Sequence, residues 1–407
     1  MGASSSLQAE IEAIPEPGNE IKVFRQMRAE YFRLKEAGLG DAELLAKLKS
    51  AYEAMVTRTD PLSRHRNGKV PKSWDCPKVR YGKTELMMPI ITCGGMRQQS
   101  TWKMQTKASA SDISTECEKN FQAIVDRSME LGINHFETAM GYGTSEIQFG
   151  LALKKHERSS FILQTKINPQ KNPADFRSYL ELSFKKLQVD YVDIFSFHGV
   201  NTMEQLDWVI REGGCFEVIE EYKAAGKIRW IGFSTHGHSD VIRAVIKTGK
   251  FDSINIHYQF VGSYHASGTD QWEGSVDGGN RENARIAHSQ DMGIFCISPN
   301  DKGGMLYKPS KVLADACAKS GITPVEFHYL WQWTQDPTAH TFSVGAARPS
   351  DLDEAVAAAR LYPRADELVK PVMEHLRGLM VERLGQDWMS TWWKGLPGAY
   401  NPTGKSQ

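Results

Sequence analysis

Asn134-His135-Phe136-Glu137-Thr138-Ala139-Met140-Gly141-Tyr142-Gly143 decides the fold. Residues 134–138 read as a short strand, Ala139 to Gly143 as a glycine-punctuated turn, and 143–155 as a helical window. The same strand-then-helix couplet recurs in both directions along the chain. Further strand-like runs stand at Met88–Thr92, Phe161–Thr165, Asp193–Phe197, Ile228–Ser234, Ser253–Tyr258, Gly293–Ser298 and Thr341–Val344. Helical windows accompany them near 115–131, 173–188, 203–225, 239–249, 281–291, 310–333 and 350–360. Strands joined through helices run parallel, and eight couplets between residues 78 and 360 suit closure into a barrel better than a doubly wound open sheet.

The flanks of this region have a different character. Residues 1–77 form an N-terminal extension. Ile14-Pro15-Glu16-Pro17-Gly18 has a linker's composition, and apolar residues then recur at helical spacing (Phe24, Met27, Tyr31, Leu34, then Leu44, Leu48, Tyr52) around a break at Gly38-Leu39-Gly40. That pattern predicts a helical hairpin over 21–56, expected to pack on the barrel or on a second subunit. Val79 to Leu86 reads as a small hairpin across the barrel bottom. Residues 361–407 form a tail, helical to about Arg383 and then rich in tryptophan (Trp388, Trp392, Trp393), expected to pack on the barrel. The predicted class is an α/β (β/α)8 TIM barrel with an N-terminal helical hairpin and a C-terminal helical extension.

Composition excludes several functions. The chain has 407 residues, 41% hydrophobic and 24% charged, with 49 basic side chains against 49 acidic ones. Such a chain buries a large core and has no global positive field for nucleic acid. No run approaches the ~18 to 20 apolar residues of a membrane span, and the first thirty residues lack the apolar middle of a secretory signal, so a cytoplasmic protein is expected. Met1-Gly2-Ala3-Ser4-Ser5-Ser6 fits the loose N-myristoylation pattern, but a disordered small-residue start is the reading preferred. The six cysteines (Cys76, Cys93, Cys117, Cys215, Cys296, Cys317) include no C-x-x-C pair, which argues against a zinc ribbon or an iron–sulfur cluster. No metal is expected.

In this architecture the carboxyl ends of the strands face the active site. Those ends carry Glu137 with Tyr142 just beyond it, then Lys166, then His198, then Ser234-Thr235-His236-Gly237-His238, then Asn255 and His257. A tyrosine donates its proton well when a nearby cation favours the phenolate, and a lysine held by a carboxylate supplies that cation. An imidazole can hydrogen-bond an oxygen that is gaining charge. The set suits reduction of a carbonyl, and a nicotinamide cofactor is the economical hydride donor, since no side chain delivers hydride.

Gly132-Ile133-Asn134-His135-Phe136-Glu137-Thr138-Ala139-Met140-Gly141-Tyr142-Gly143-Thr144-Ser145-Glu146 resembles the aldo-keto reductase signature. Gln164-Thr165-Lys166, Asp193-Ile194-Phe195-Ser196-Phe197-His198 and Gly226-Lys227-Ile228-Arg229-Trp230-Ile231-Gly232-Phe233-Ser234 follow in the family's order, so the resemblance spans residues 78–360. It implies Tyr142 as proton donor, Lys166 as the partner that lowers its pKa, His198 as carbonyl orienter, and Glu137 in the family's aspartate position. It further implies NADP(H) as cofactor. Ser234 and Asn255 would hold the carboxamide, Ser298, Asn300, Lys302 and Gly303 would cover the pyrophosphate, and Gly345, Arg348, Asp351 and Glu354 would hold the adenine end with its 2′-phosphate. Four positions depart from the pattern. Glutamate replaces aspartate at 137, Thr235 replaces an asparagine, Ile297 stands where many members stack an aromatic ring, and Ala355 follows Glu354 where asparagine is usual. Near neighbours in the family carry a ferredoxin-like tail, but no cysteine follows Cys317 here.

The expected substrate is a small-molecule carbonyl compound, in a pocket walled by Trp102, Trp272, His236 and His238, the two tryptophans lying on the insertions 94–116 and 261–280. A homodimer stays open. Two other readings compete: a catalytically weak NADP-binding regulatory protein of the same fold, and a metal-dependent barrel hydrolase using His236 and His238 with His198 or His257.

Overall fold

Side chains alternate across each strand, so in a barrel one set enters the lumen and the other meets the helices. On β5 (Ile162–Ile167), Ile162, Gln164 and Lys166 form the inner set, and Thr165 faces outward to bond Glu146 Oε1 at 2.7 Å. On β6 (Val192–His198) the outer residues Phe195 and Phe197 pack on Phe176 of α4 (Pro173–Leu187), with ring centroids 5.9 and 5.4 Å apart. The computed structural model describes residues 37–58, 76–97, 107–260, 278–300 and 309–391, together with Tyr31, Leu34 and Ser100.

The eight parallel strands are β3 (Ile91–Gly94), β4 (His135–Glu137), β5, β6, β7 (Ile228–Ser234), β8 (Ser253–His257), β9 (Gly293–Ile297) and β10 (Thr341–Val344), and β10 closes the ring on β3. The expected first strand, Met88–Thr92, divides in two. Met87–Pro89 is β2, which pairs antiparallel with β1 (Lys78–Arg80), and the barrel strand begins at Ile91. This hairpin plugs the barrel bottom, where Tyr81 and Met88 join Ile162, Ile194 and Phe295 in one buried cluster.

Helices α2 (Thr115–Glu130), α3 (Ser145–Leu153), α4, α5 (Met203–Ile210), α6 (Cys215–Ala224), α7 (Ser239–Lys247), α8 (Gly279–Ser289), α9 (Lys311–Lys319), α10 (Pro324–Trp333) and α11 (Asp351–Arg360) follow the strands. Two expected windows, 203–225 and 310–333, are each a pair of helices. Gly213 and Gly321, at φ +66° and +74°, mark the breaks, and Thr323-Pro324 restarts the second with a capping box to Glu326. The chain divides into two units, Met1–Ser73 and Trp74–Gln407. In the first, α1 (Asp41–Arg58) buries Leu44 and Leu48 with Leu34, which matches the second half of the expected helical hairpin; most of its first half lies outside the described residues. In the second, α12 (Ala365–Leu384) buries Leu368, Val369 and Val372 and packs against α9 and α10. Trp388 of α13 (Gln386–Thr391) is 39% exposed rather than buried in a core, and Trp392 and Trp393 lie outside the described residues. No helix among the described residues is long and apolar enough to cross a membrane.

Candidate active site

Three of the four expected catalytic side chains reach the carboxyl end of the barrel by strand position. Glu137 ends β4, Lys166 is next to last in β5, and His198 ends β6. Tyr142 sits on the loop between β4 and α3, which backbone hydrogen bonds stitch down: Thr138 N–H to Gln164 O, Met140 N–H to Lys166 O and Tyr142 N–H to Ala139 O, at 2.8, 2.9 and 3.0 Å. Gly143 takes φ +57°, which glycine adopts without strain.

The four groups meet. The Tyr142 ring stands edge-on to His198 with centroids 5.5 Å apart and planes at 88°. Lys166 Nζ lies 4.7 Å from the centroid of the same ring, donates to Thr138 O at 3.0 Å and makes a contact ion pair with Glu137. Lys166 and Glu137 are both buried.

Burial dominates the electrostatics. It pushes the Lys166 amine below its usual pKa. It pushes the Tyr142 phenol upward. The sequence reading expected that phenol lowered, and the physical reason for the difference is that Lys166 approaches the ring's face while its charge is engaged by Glu137. His198 is held well below its ordinary value, first by burial and then by Lys166 and His236, so its imidazole is neutral. Its Nδ1 is buried without a hydrogen-bond partner.

On the neighbouring strands Ser234 ends β7 and pairs in register with Asn255 of β8. Ser234 Oγ accepts from Gly199 N–H at 3.1 Å. Asn255 is fully buried, with Oδ1 accepting from Gln164 Nε2 at 3.2 Å and Nδ2 lacking a partner. A buried donor without an acceptor is uncommon in a folded protein. A carboxamide carbonyl would satisfy it, so these residues fit a nicotinamide. Thr235 has another task, donating to Val200 O at 2.8 Å.

Of the remaining expected contacts, Ser298 holds φ +52°, and Asn300 Nδ2 donates to Tyr329 OH at 2.6 Å. Arg348 and Asp351 stand at the start of α11, where Asp351 accepts from Ala347 N–H at 2.9 Å and from Arg348 Nε at 3.0 Å. The Ala347 N–H at this helix start is therefore engaged by a carboxylate of the chain itself. Gly345 adjoins Arg97, whose Cγ would lie 2.7 Å from an added Cβ, and Glu354 lies in the first turn of α11. Lys302, Gly303, Trp102 and Trp272 lie outside the described residues.

The two mouth histidines part company. His236 Nδ1 is 2.7 Å from His257 Nε2, and His236 acts on His198 electrostatically. His238 instead caps α7, its Nδ1 accepting from Asp240 N–H at 3.4 Å. That bond engages one of its two ring nitrogens. Among the described residues no group of three or more His, Cys, Asp and Glu side chains is arranged to hold a metal ion. Sequence reasoning missed Gln164 and His135, two residues before Lys166 and Glu137 on the same inner faces. The period of two was the available signal.

A family model, described as the aldo/keto reductase family, matches residues 91–370. The chain belongs to the aldo/keto reductase family. It is an oxidoreductase of that family. The oxidoreductase YqkF of Bacillus subtilis is 24% identical over 291 residues, covering 63% of this chain and 87% of that protein. The NADH-specific methylglyoxal reductase of Escherichia coli is 28% identical over 164 residues, 34% of this chain and 49% of that one. Among solved structures, the holo form of an aldo-keto reductase from Bacillus halodurans aligns with a TM-score of 0.56 at 20% identity, covering 74% of this chain and 96% of that one. An aldo-keto reductase from Klebsiella pneumoniae, solved in complex with NADPH, aligns at 0.52 and 19% identity over 72% and 95%. These two likenesses bear on the fold.

Proposed function

We propose that the chain is an NADPH-dependent reductase of small aldehydes or ketones, with residues 78–360 as the catalytic barrel and 361–407 as a helical extension. The carrying observation is the meeting of Tyr142, His198, Lys166 and Glu137 at the carboxyl ends of β4 to β6. A bound nicotinamide supplies the hydride. The chain's own residues handle the other charges. Tyr142, kept protonated by burial, donates its proton to the carbonyl oxygen, and neutral His198 hydrogen-bonds the same oxygen. Lys166, against the phenol ring, favours the phenolate as the proton leaves, and Glu137 holds Lys166 in place.

Ser234 and Asn255 would hold the carboxamide. Ser298, Asn300, Lys302 and Gly303 would lie along the pyrophosphate, and Gly345, Arg348, Asp351 and Glu354 at the adenine end. Arg348 at a helix start is the group that supports NADPH over NADH, by a charge-assisted bond to a 2′-phosphate. His236 would border the carbonyl substrate.

The test is a tryptophan-fluorescence titration with NADPH and NADH, followed by NADPH consumption with generic aldehydes in wild type and Tyr142→Phe. Saturable NADPH binding with turnover that the variant loses is the expected result. Wild-type protein that binds neither nucleotide overturns the reading. A second reading, a nucleotide-binding regulator of the same fold with little turnover, is favoured by the upward shift of the Tyr142 phenol and by the longer carboxylate at 137. Tight NADPH binding without consumption of any carbonyl would identify it.

A further inference from the structure

The barrel lumen contains a polar thread that the catalytic groups do not use. Barrels of this class are filled mostly by branched apolar side chains. Here the buried side chains Thr341, Thr92, His135, Gln164, Ser196 and Asn255 lie in the interior. Thr341 Oγ1 is 2.8 Å from Thr92 Oγ1, which is 2.7 Å from His135 Nδ1. Gln164 Nε2 donates to Ser196 Oγ at 2.9 Å and to Asn255 Oδ1 at 3.2 Å. Since β5 and β8 are not neighbours in the barrel, the last bond crosses the lumen.

Two atoms remain between these pieces. His135 Nε2 and Gln164 Oε1 are both buried without another partner, and hydrogen bonding to Gln164 acts on His135 against the effect of burial. Burial and the charge of Lys166 lower His135 to a pKa of about 3, so the ring is neutral near pH 7. A neutral imidazole has one donor and one acceptor. When its Nε2–H faces Gln164 Oε1, its Nδ1 must accept from Thr92, and Thr92 must accept from Thr341. Every bond then runs the same way, and Gln164 has only donors to offer toward β8.

We propose that Gln164 is a positioning residue that fixes the polarity of the Asn255 amide. Gln164 occupies Oδ1 and leaves Nδ2 as the one group offered to a ligand, so this position is a donor for a carbonyl oxygen of the bound nucleotide's carboxamide. The inference rests on the cofactor reading given above, with Asn255 as a carboxamide contact. The opposite arrangement is also self-consistent: with the His135 tautomer and the Gln164 amide both reversed, Asn255 would present an acceptor. The two arrangements make opposite demands on a ligand, which makes them separable.

The test compares NADP+ with its 3-acetylpyridine analogue, which keeps the carbonyl and lacks the NH2 group, by fluorescence titration of wild type and Gln164→Glu. A carboxylate at 164 carries no donor, so it turns a bare oxygen toward Asn255 while its other oxygen still accepts from His135 Nε2–H. Asn255 must then point Nδ2 inward and expose Oδ1. NADP+ adapts by rotating its carboxamide and is expected to bind both proteins within about threefold. The acetyl analogue cannot adapt, and its Kd is expected to rise at least tenfold in the variant alone. Asn255→Asp, which exposes only acceptors, is expected to reproduce that loss and serves if Gln164→Glu does not fold. An unchanged ratio of the two dissociation constants in both variants overturns the positioning role. Wild-type protein that binds neither nucleotide overturns the cofactor reading itself and this inference with it.

Discussion

Lys166 Nζ sits 4.7 Å from the centre of the Tyr142 ring, over its face, while Glu137 pairs with the same amine. A cation over an aromatic face is attracted to the ring quadrupole. It also gains interaction energy when the ring becomes a phenolate, which is the moment a proton donor needs it. Burial meanwhile pushes the phenol's pKa upward, which would keep it protonated until a substrate oxygen took the proton.

If Tyr142 is that donor, Tyr142→Phe removes one hydroxyl and leaves the ring packing on His198 intact. Turnover is expected to fall by about 10²- to 10⁴-fold. NADPH affinity, measured by fluorescence, should stay within about threefold. Steady-state rates within tenfold of wild type would remove Tyr142 from the chemistry.

The Glu137 and Lys166 pair is buried, so breaking it leaves a charge without its partner. Glu137→Gln is expected to lower the unfolding free energy by about 3 to 5 kcal/mol. Urea denaturation at pH 7 measures this. A loss under about 1 kcal/mol would mean that Lys166 is neutral in the folded protein, in keeping with the downward shift that burial imposes on it.

Glu137 and Lys166 were legible because each sits at a strand end, where a period of two fixes which side chains share the lumen. Ile228–Ser234 and Thr341–Val344 were read to the residue for the same reason. The cap role of His238 was not legible, because the period stops when the strand does. Beyond Ser234 the chain turns, and His238 lands at the start of an amphipathic helix, where its ring accepts a backbone N–H. The partners of Gln164 were illegible for another reason. Asn255 lies 91 residues away on a strand that meets β5 only across the closed lumen, and no local pattern encodes that encounter.

His135 and His328 are fully buried with pKa values lowered to about 3 from 6.5. The unfolded chain therefore binds more protons than the folded one between those values. Stability is fully present above about pH 6.5 and falls as pH drops toward 3, by about 1.4 kcal/mol per pH unit for each histidine. Both ring nitrogens of His328 lack a hydrogen-bond partner among the described residues. His328→Leu is therefore expected to be neutral or stabilising at pH 7 and to flatten the acid slope. Urea midpoints measured from pH 7 to 4 check both statements. A variant whose slope matches wild type would mean that His328 does not stay neutral in the fold.

On the NADPH reading proposed above, Arg348 is the residue that would separate the two nucleotides. Its Nε is bonded to Asp351 at 3.0 Å, and the side chain is about one third exposed, so its remaining N–H groups face a site that solvent reaches. Asp351 holds the guanidinium in place but also partly offsets its charge. A 2′-phosphate bound here would have to gain more from Arg348 than it loses to the carboxylate. Arg348→Ala is expected to weaken NADPH binding by about tenfold, which corresponds to one charge-assisted contact, and to leave NADH binding nearly unchanged. Asp351→Asn should move the ratio the other way, strengthening NADPH relative to NADH. Equal losses for the two nucleotides in Arg348→Ala would mean that the guanidinium supports the loop before α11 and reads no phosphate.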